Sequence, residues 1–282
     1  MSVTISSGRL AAVFEPKLAM VGSSLTLDGH ELLGLRNGVD GYRERASTFG
    51  IPLLHPWANR LDRPCDTPLL HPDQNGLAIH GCVPAALPFE LLDQSSSRVI
   101  AEFTTERAPQ VLEVFPHPHR LVVDAELKES SLVMRTTLHA LGEPVPVSFG
   151  YHPYLSPPGG RATWQITAPG LRQMHLDERM LPTGSGELVR IEPGALGDRT
   201  FDDAYGPVGQ GTSFAVAGDG VTLKVQFGRG YRWAQIYAPA GADLICFEPM
   251  TAPTNALVTG EGLETVQPGG SHEAIFRIEV HT

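Results

Sequence analysis

The sequence predicts an all-β protein, folded as one large sandwich of two antiparallel sheets over residues 1–282. Several short windows alternate apolar and polar residues at period two, the spacing that lays one face of a strand on a core. Glycine (30) and proline (24) make up nearly a fifth of the 282 residues and are spread along the chain, as turns between many strands require. No stretch keeps apolar residues at i, i+3, i+4 and i+7 beyond about three turns, so long amphipathic helices are not expected. Length alone allows one large domain or two small ones. The even spread of turn residues, with no linker and no internal repeat, favours one. A sandwich of this size needs wide twisted sheets, whose concave face can hold a ligand.

Taken in order, AAVFEP near the start is the first strand candidate. GIPLLHPWANRLDRP, from Gly50, joins an apolar run to a proline bend; LLHPWANRL has room for one helical turn, which its proline limits. GLAIHGCVP, from Gly76, repeats the run-then-bend pattern. Residues 120–140, RLVVDAELKESSLVMRTTLHA, read as strand, turn, strand, with KESS as the turn. SFGYHPYL, from Ser148, reads as a strand ending on a histidine, and ATWQITAP at 162–169 as a further strand. VTLKVQF (221–227) and AIFRIEV (274–280) alternate cleanly. Between them LICFEPMTAPTNAL, from Leu244, begins as the continuous apolar run of a buried strand.

Composition narrows the function. A formal net charge of -10 argues against nucleic acid and anionic membrane as partners, since phosphate binding needs clustered lysine and arginine. No apolar run approaches the roughly 20 residues of a membrane helix. The opening MSVTISSGRLAAVFEPK has no basic start followed by an apolar core, so no signal peptide is expected and a cytoplasmic location follows. Cys65, Cys82 and Cys246 are odd in number and far apart, which speaks against a disulfide framework and a CxxC zinc site. His117 and His119 in FPHPHR, with Asp124, are the best candidates for a cupin-type metal centre; the missing glycine and the flanking Pro116 and Pro118 disfavour it. Neither HExxH, GxxxxGK nor GxSxG occurs. No cofactor is expected.

The remaining chemistry lies at the bends, where a rigid scaffold often displays functional residues. Glu248 follows the apolar run Leu244–Phe247. Burial there would raise its pKa towards that of a general base at neutral pH, whereas an edge position would leave it in water. His152 and His80 each sit beside glycine and either pack through hydrogen bonds or face a site. Arg60, beside Asn59, is suited to sugar hydroxyls or a carboxylate, or to a surface ion pair with Asp62. Trp57 is suited either to stack on a sugar ring or to fill the core. In FDDAY, Asp202 and Asp203 point to opposite faces if the segment is a strand, so one of them faces any given pocket.

Together PWANRL, IHG, FGYHPYL, FDDAY and FEPMTAPTNAL, in this order, resemble the aldose 1-epimerase (mutarotase) family. GHELL near residue 30 and GLETVQPGG near the end extend the likeness over nearly the whole chain, and bacterial members of the HPYF and EPMT type look closest. The resemblance implies a galactose mutarotase-like β-supersandwich acting on a small-molecule sugar without a cofactor. It implies Glu248 as general base and His152 as general acid, placed on opposite sides of the sugar ring. Asn59, Arg60, His80, Asp202 and, more loosely aligned, Gln235 fall at sugar-binding positions. The chain departs from the family at LHALGEPVP, at Leu155 where many members have phenylalanine, and at Asp203 beside Asp202; these bear on sugar preference. Alternatives are a non-catalytic sugar-binding protein on the same fold, a glycoside hydrolase using Glu248 with Asp202 or Asp203, and a sugar-phosphate mutarotase holding its phosphate with Arg63 or Arg161. Whether the chain is a monomer or an oligomer is not readable from the sequence.

Overall fold

A computed structural model describes residues 2–282. Two wide antiparallel sheets face each other. The nine-stranded sheet runs in the order Gly194–Ala195, Gln165–Thr167, Ser213–Gly218, Val221–Phe227, Ser271–His281, Ser131–Ala140, His119–Lys128, Arg98–Thr104, Glu90–Gln94. The eight-stranded sheet runs Pro182–Val189, Leu171–Leu176, Phe201–Tyr205, Trp233–Ala238, Ile245–Met250, Gly150–Tyr151, Leu53–Leu54, with Tyr154–Leu155 also paired to Ile245–Met250. A four-stranded N-terminal sheet (Val3–Ser7, Leu10–Glu15, Val21–Leu27, His30–Glu31) and a three-stranded sheet (Arg60–Pro64, Leu77–Cys82, Leu70–Pro72) flank them.

Period-two patterning produces the core directly. Ser131–Ala140 and Val221–Phe227 alternate strictly between buried and half-buried positions, so one face of each carries Leu132, Met134, Leu138 or Leu223, Val225, Phe227 inward. The KESS turn closes the hairpin between His119–Lys128 and Ser131–Ala140, with Lys128 opposite Ser131. Ile245–Met250 differs, being buried at every position. Its Phe247 stacks on Phe214 across the sandwich, with ring centres 5.3 Å apart. The opposite face carries Cys246, Glu248 and Met250 into a second layer built by loops.

LLHPWANRL contains no helical turn. Leu53–Leu54 is a short strand paired with Gly150–Tyr151, and His55 and Trp57 make parallel bridges to Gly81 and Ser148. A helix lies instead at Gly38–Arg45, where the sequence shows no amphipathic stripe. Its residues are mostly charged or glycine, and only Gly41 and Tyr42 are buried, Tyr42 resting on Phe49. Among the described residues no helix is long and apolar enough to cross a membrane.

The segments that read as site motifs also clamp one another. Thr251 donates through its hydroxyl (2.8 Å) and its backbone N–H (3.0 Å) to the Phe149 carbonyl. Asn255 accepts from the Asp62 N–H at 2.8 Å and donates its own N–H to the Arg60 carbonyl. Ser148 Oγ donates to the Pro56 carbonyl at 2.7 Å. FEPMTAPTNAL, PWANRL and SFGYHPYL therefore meet at one place on the eight-stranded sheet.

Candidate active site

That place is a cavity of about 370 Å³. All seven residues singled out from the sequence, Asn59, Arg60, His80, His152, Asp202, Gln235 and Glu248, line it. Arg36, Thr48, His71, Asp73, Tyr154 and Tyr237 also line it and were not singled out.

Strand register explains how the carboxylates arrive. Gln235 and Glu248 are direct cross-strand partners, and Asp202 pairs with Tyr237 one strand further on. Their side chains share the cavity face of the sheet. Gln235 Nε2 donates to Asp202 Oδ1 at 2.7 Å. Asp203 takes the other face, where it accepts from Gln173 Nε2 at 2.8 Å outside this cavity. The alternation in FDDAY thus assigns Asp202 to the cavity.

His152 and Glu248 touch. Nε2 of the imidazole lies 3.2 Å from Oε1 of the carboxyl, and both side chains are buried. They stand side by side, which corrects the expectation that they flank a sugar from opposite sides. Burial holds the His152 imidazole down at about 3, with the positive charge of Arg36 adding to the effect. Burial also drives the Glu248 carboxyl well above its ordinary range, with Asp202 adding and Arg60 opposing. Burial thus favours the neutral form of both groups. The neutral pair and the ion pair contain the same protons and differ only in which side of the 3.2 Å contact carries one of them. Tyr154 stacks on His152 with ring centres 4.4 Å apart and planes 6° apart. Its hydroxyl lies 2.6 Å from Thr48 Oγ1, which fixes the imidazole plane from behind.

Arg60 does not pair with Asp62. Its Nε donates to Asp73 Oδ2 at 2.7 Å, its Nη1 to Asn59 Oδ1 at 3.3 Å, and its Nη2 lies 3.7 Å from Asp202. Asp62 pairs with Arg179 instead. Asp73 is the supporting residue sequence reasoning missed. Its other oxygen caps the turn N–H groups of Asn75 and Leu77, so the loop that carries it reads as an ordinary Asp turn.

His80 is held by a pair of left-handed residues, Asn59 (φ 60) and His80 itself (φ 61). The His80 N–H donates to the Asn59 carbonyl, and the Asn59 N–H donates to His80 Nδ1 at 3.3 Å. Burial keeps the His80 imidazole neutral, its pKa well below the usual value, so the proton sits on Nε2 as a hydrogen-bond donor.

Several candidates lie elsewhere. Trp57 is buried in the main core and does not line the cavity. His119 is fully buried, its Nε2 2.7 Å from His55 Nε2, while half-buried His117 bonds the Pro144 carbonyl. Asp124 is engaged by Arg98 and Arg135. Among the described residues no cluster of three metal-ligating side chains forms. Leu155 is buried beside Ile245, off the cavity.

The sequence profile described as Aldose 1-epimerase matches residues 19–279. The chain belongs to the aldose 1-epimerase family. Solved structures share its galactose mutarotase-like fold. A protein from Synechocystis sp. PCC 6803 superposes with a TM-score of 0.80 at 22% identity, covering 100% of this chain and 96% of that one. A galactose mutarotase-like protein from Clostridium acetobutylicum gives 0.82 at 18%, covering 100% and 95%. Galactose 1-epimerase from Lactobacillus acidophilus NCFM gives 0.76 at 14%, covering 99% and 94%. No curated protein matches the sequence significantly. Membership of this family makes the chain an epimerase-type isomerase with a sugar as its substrate class.

Proposed function

We propose that the chain, as one catalytic domain, interconverts the α and β anomers of an aldose by acid/base ring opening, with no cofactor. The observation that carries this reading is the buried 3.2 Å contact between His152 and Glu248 on a cavity wall. Opening a cyclic hemiacetal removes a proton from the anomeric hydroxyl and delivers one to the ring oxygen. Those two oxygens are bonded to the same carbon, so the groups that serve them must be neighbours. An adjacent carboxyl and imidazole that share one mobile proton meet that demand.

In this reading Glu248 takes the proton of the anomeric hydroxyl and His152 protonates the ring oxygen. The C1–C2 bond rotates, the aldehyde presents its other face, and the same two groups act in reverse. The sugar hydroxyls, in place of water, restore polarity around the pair and support its charged form. Arg60, Asn59, His80, Asp202 and Gln235 supply donors and acceptors for the other hydroxyls. Each positioned acid or base contributes about 10²–10⁴ in rate, and orientation of the substrate adds to it.

The test is proton NMR of freshly dissolved α-glucose and α-galactose, with and without protein and alongside Glu248→Gln. Faster anomer exchange that the variant abolishes supports the reading. Sugar binding with no acceleration would select a binding protein instead, and release of nitrophenol from nitrophenyl glycosides would select a hydrolase using Glu248 with Asp202.

A further inference from the structure

We infer that His55 and His119 are positioning residues: a single hydrogen bond between their imidazoles, made through the core of the sandwich, holds in place the backbone segment that carries the sugar-binding half of the site. This rests on the epimerase reading above.

Neither histidine lines the cavity, and proton transfer to the sugar uses neither. Both are buried, with the rings of Phe103 and Phe115 packed against each of them. Burial lowers both pKa values, that of His119 to about 4, and so favours two neutral rings with one N–H each. The protons can then be placed. His119 Nδ1 lies 2.7 Å from the His117 carbonyl, which can only accept. Nδ1 therefore carries the His119 proton, and its Nε2 is a bare acceptor. His55 Nε2, 2.7 Å away, must donate to it. His55 Nδ1 is left bare and without a partner. The acceptor end is firmly seated on the nine-stranded sheet. The His119 N–H donates to Thr105 Oγ1 at 3.1 Å, and the Thr105 N–H donates back to the His119 carbonyl.

The donor end belongs to a segment on which the site hangs. The Pro52 carbonyl accepts from the His152 N–H, and the His55 carbonyl accepts from the Cys82 N–H at 2.8 Å. The Pro56 carbonyl accepts from Ser148 Oγ, and Asn59 exchanges hydrogen bonds with His80. The other side chains from Pro52 to Ala58 are apolar or, in Trp57, lack a hydrogen-bond partner. Their burial holds the segment down but is non-directional. His55 supplies the one directional side-chain tie across the core. His80 lies two residues before Cys82 on the same strand, so a shift of His55 passes to His80 and, through Asn59, to Arg60. His152 has a second support in the stacked Tyr154 ring. The His55–His119 bond should therefore govern sugar binding more than proton transfer.

Anomer exchange of glucose and galactose is measured for wild type, His119→Leu and His119→Gln. His119→Leu removes the acceptor and should raise KM roughly tenfold, the scale of one buried hydrogen bond, with kcat little changed. His119→Gln offers an amide oxygen to His55 and should restore most of the affinity. Should His119→Leu fail to fold, the double variant His55→Leu/His119→Leu, which leaves no polar atom of the pair unpaired, is measured in its place, with the same rise in KM expected. A folded Leu variant with the KM of wild type overturns the inference and leaves the epimerase reading intact. So does a loss confined to kcat, or a His119→Gln variant no better than His119→Leu. Long-range 15N–1H NMR of the imidazoles should show His55 protonated on Nε2 and His119 on Nδ1; any other tautomer of either ring also overturns it. If no sugar is accelerated by wild type, the epimerase reading fails. Saturation-transfer NMR with methyl glucoside and methyl galactoside, which cannot open, then compares binding across the same variants and decides on the pair by itself.

Discussion

The central residue-scale fact is that Glu248 and His152 are buried and in contact, and that burial favours the neutral form of each. His152→Gln and Glu248→Gln should each lower anomer exchange by about 10²–10⁴ while leaving circular dichroism unchanged. The two should differ in stability. A carboxyl whose folded pKa is raised keeps its proton in the native state while the unfolded chain ionises, so above about pH 4.5 the native state is penalised. Glu248→Gln removes that penalty. Its thermal midpoint should exceed wild type at pH 7, and the difference should shrink as pH falls to 4. Each kcal/mol recovered corresponds to about 2–4 °C in a chain approaching this size. A variant that is inactive and less stable at both pH values would mean that Glu248 holds the fold together rather than being strained by it.

At the scale of elements, the small sheet of Arg60–Pro64, Leu70–Pro72 and Leu77–Cys82 positions half the cavity. Gly81 adopts φ 75, and a Cβ there would collide with the His55 carbonyl. Gly81→Ala should therefore cost about 1–2 kcal/mol from the left-handed backbone alone, more from the clash, and displace His80. Lowered urea midpoint together with weakened substrate binding is the expected pair of results. Asp73 joins the turn to the site by accepting from Arg60 on one side and from Asn75 and Leu77 on the other. Asp73→Ala should raise KM roughly tenfold, the usual effect of losing a hydrogen bond to a charged group, and affect kcat less. The opposite pattern, with kcat lost and KM kept, would mean that Arg60 acts on the reacting atoms.

Over the whole molecule, buried imidazoles set the acid limit. Burial lowers the pKa of His55, His80, His119 and His152, with His119 at about 4 and His152 at about 3. The unfolded chain takes up these protons near pH 6.5, and the folded chain does not. Stability therefore falls as pH drops below about 6.5. His71, His139 and His272, also lowered by burial, add to this, while the raised carboxyls of Glu248 and Asp203 oppose it. Urea unfolding at pH 7, 6 and 5 should show a steadily falling midpoint, and a flat profile would mean that these imidazoles titrate normally in the native state.

Much of this was legible in the sequence, and the physical reasons are particular. Period-two alternation in Val221–Phe227 and Ser131–Ala140 reports strands because one pleated face must be apolar to be buried. FDDAY determines by parity alone that Asp202 and Asp203 face apart. The motif residues Asn59, Arg60, His80, His152, Asp202, Gln235 and Glu248 were marked in advance, and they line one cavity. Tertiary structure alone decided the rest. The helix Gly38–Arg45 has no stripe to announce it, because a single buried tyrosine anchors it. Trp57 went to the core, since a Trp side chain carries no signal of which layer will cover it. Whether an arginine is compensated depends on carboxylates far away in the chain: Asp202 meets Arg60 across 142 positions. Periodicity is a local property of the chain and can be read along it. Charge compensation and side-by-side contact belong to space, and only the folded chain supplies them.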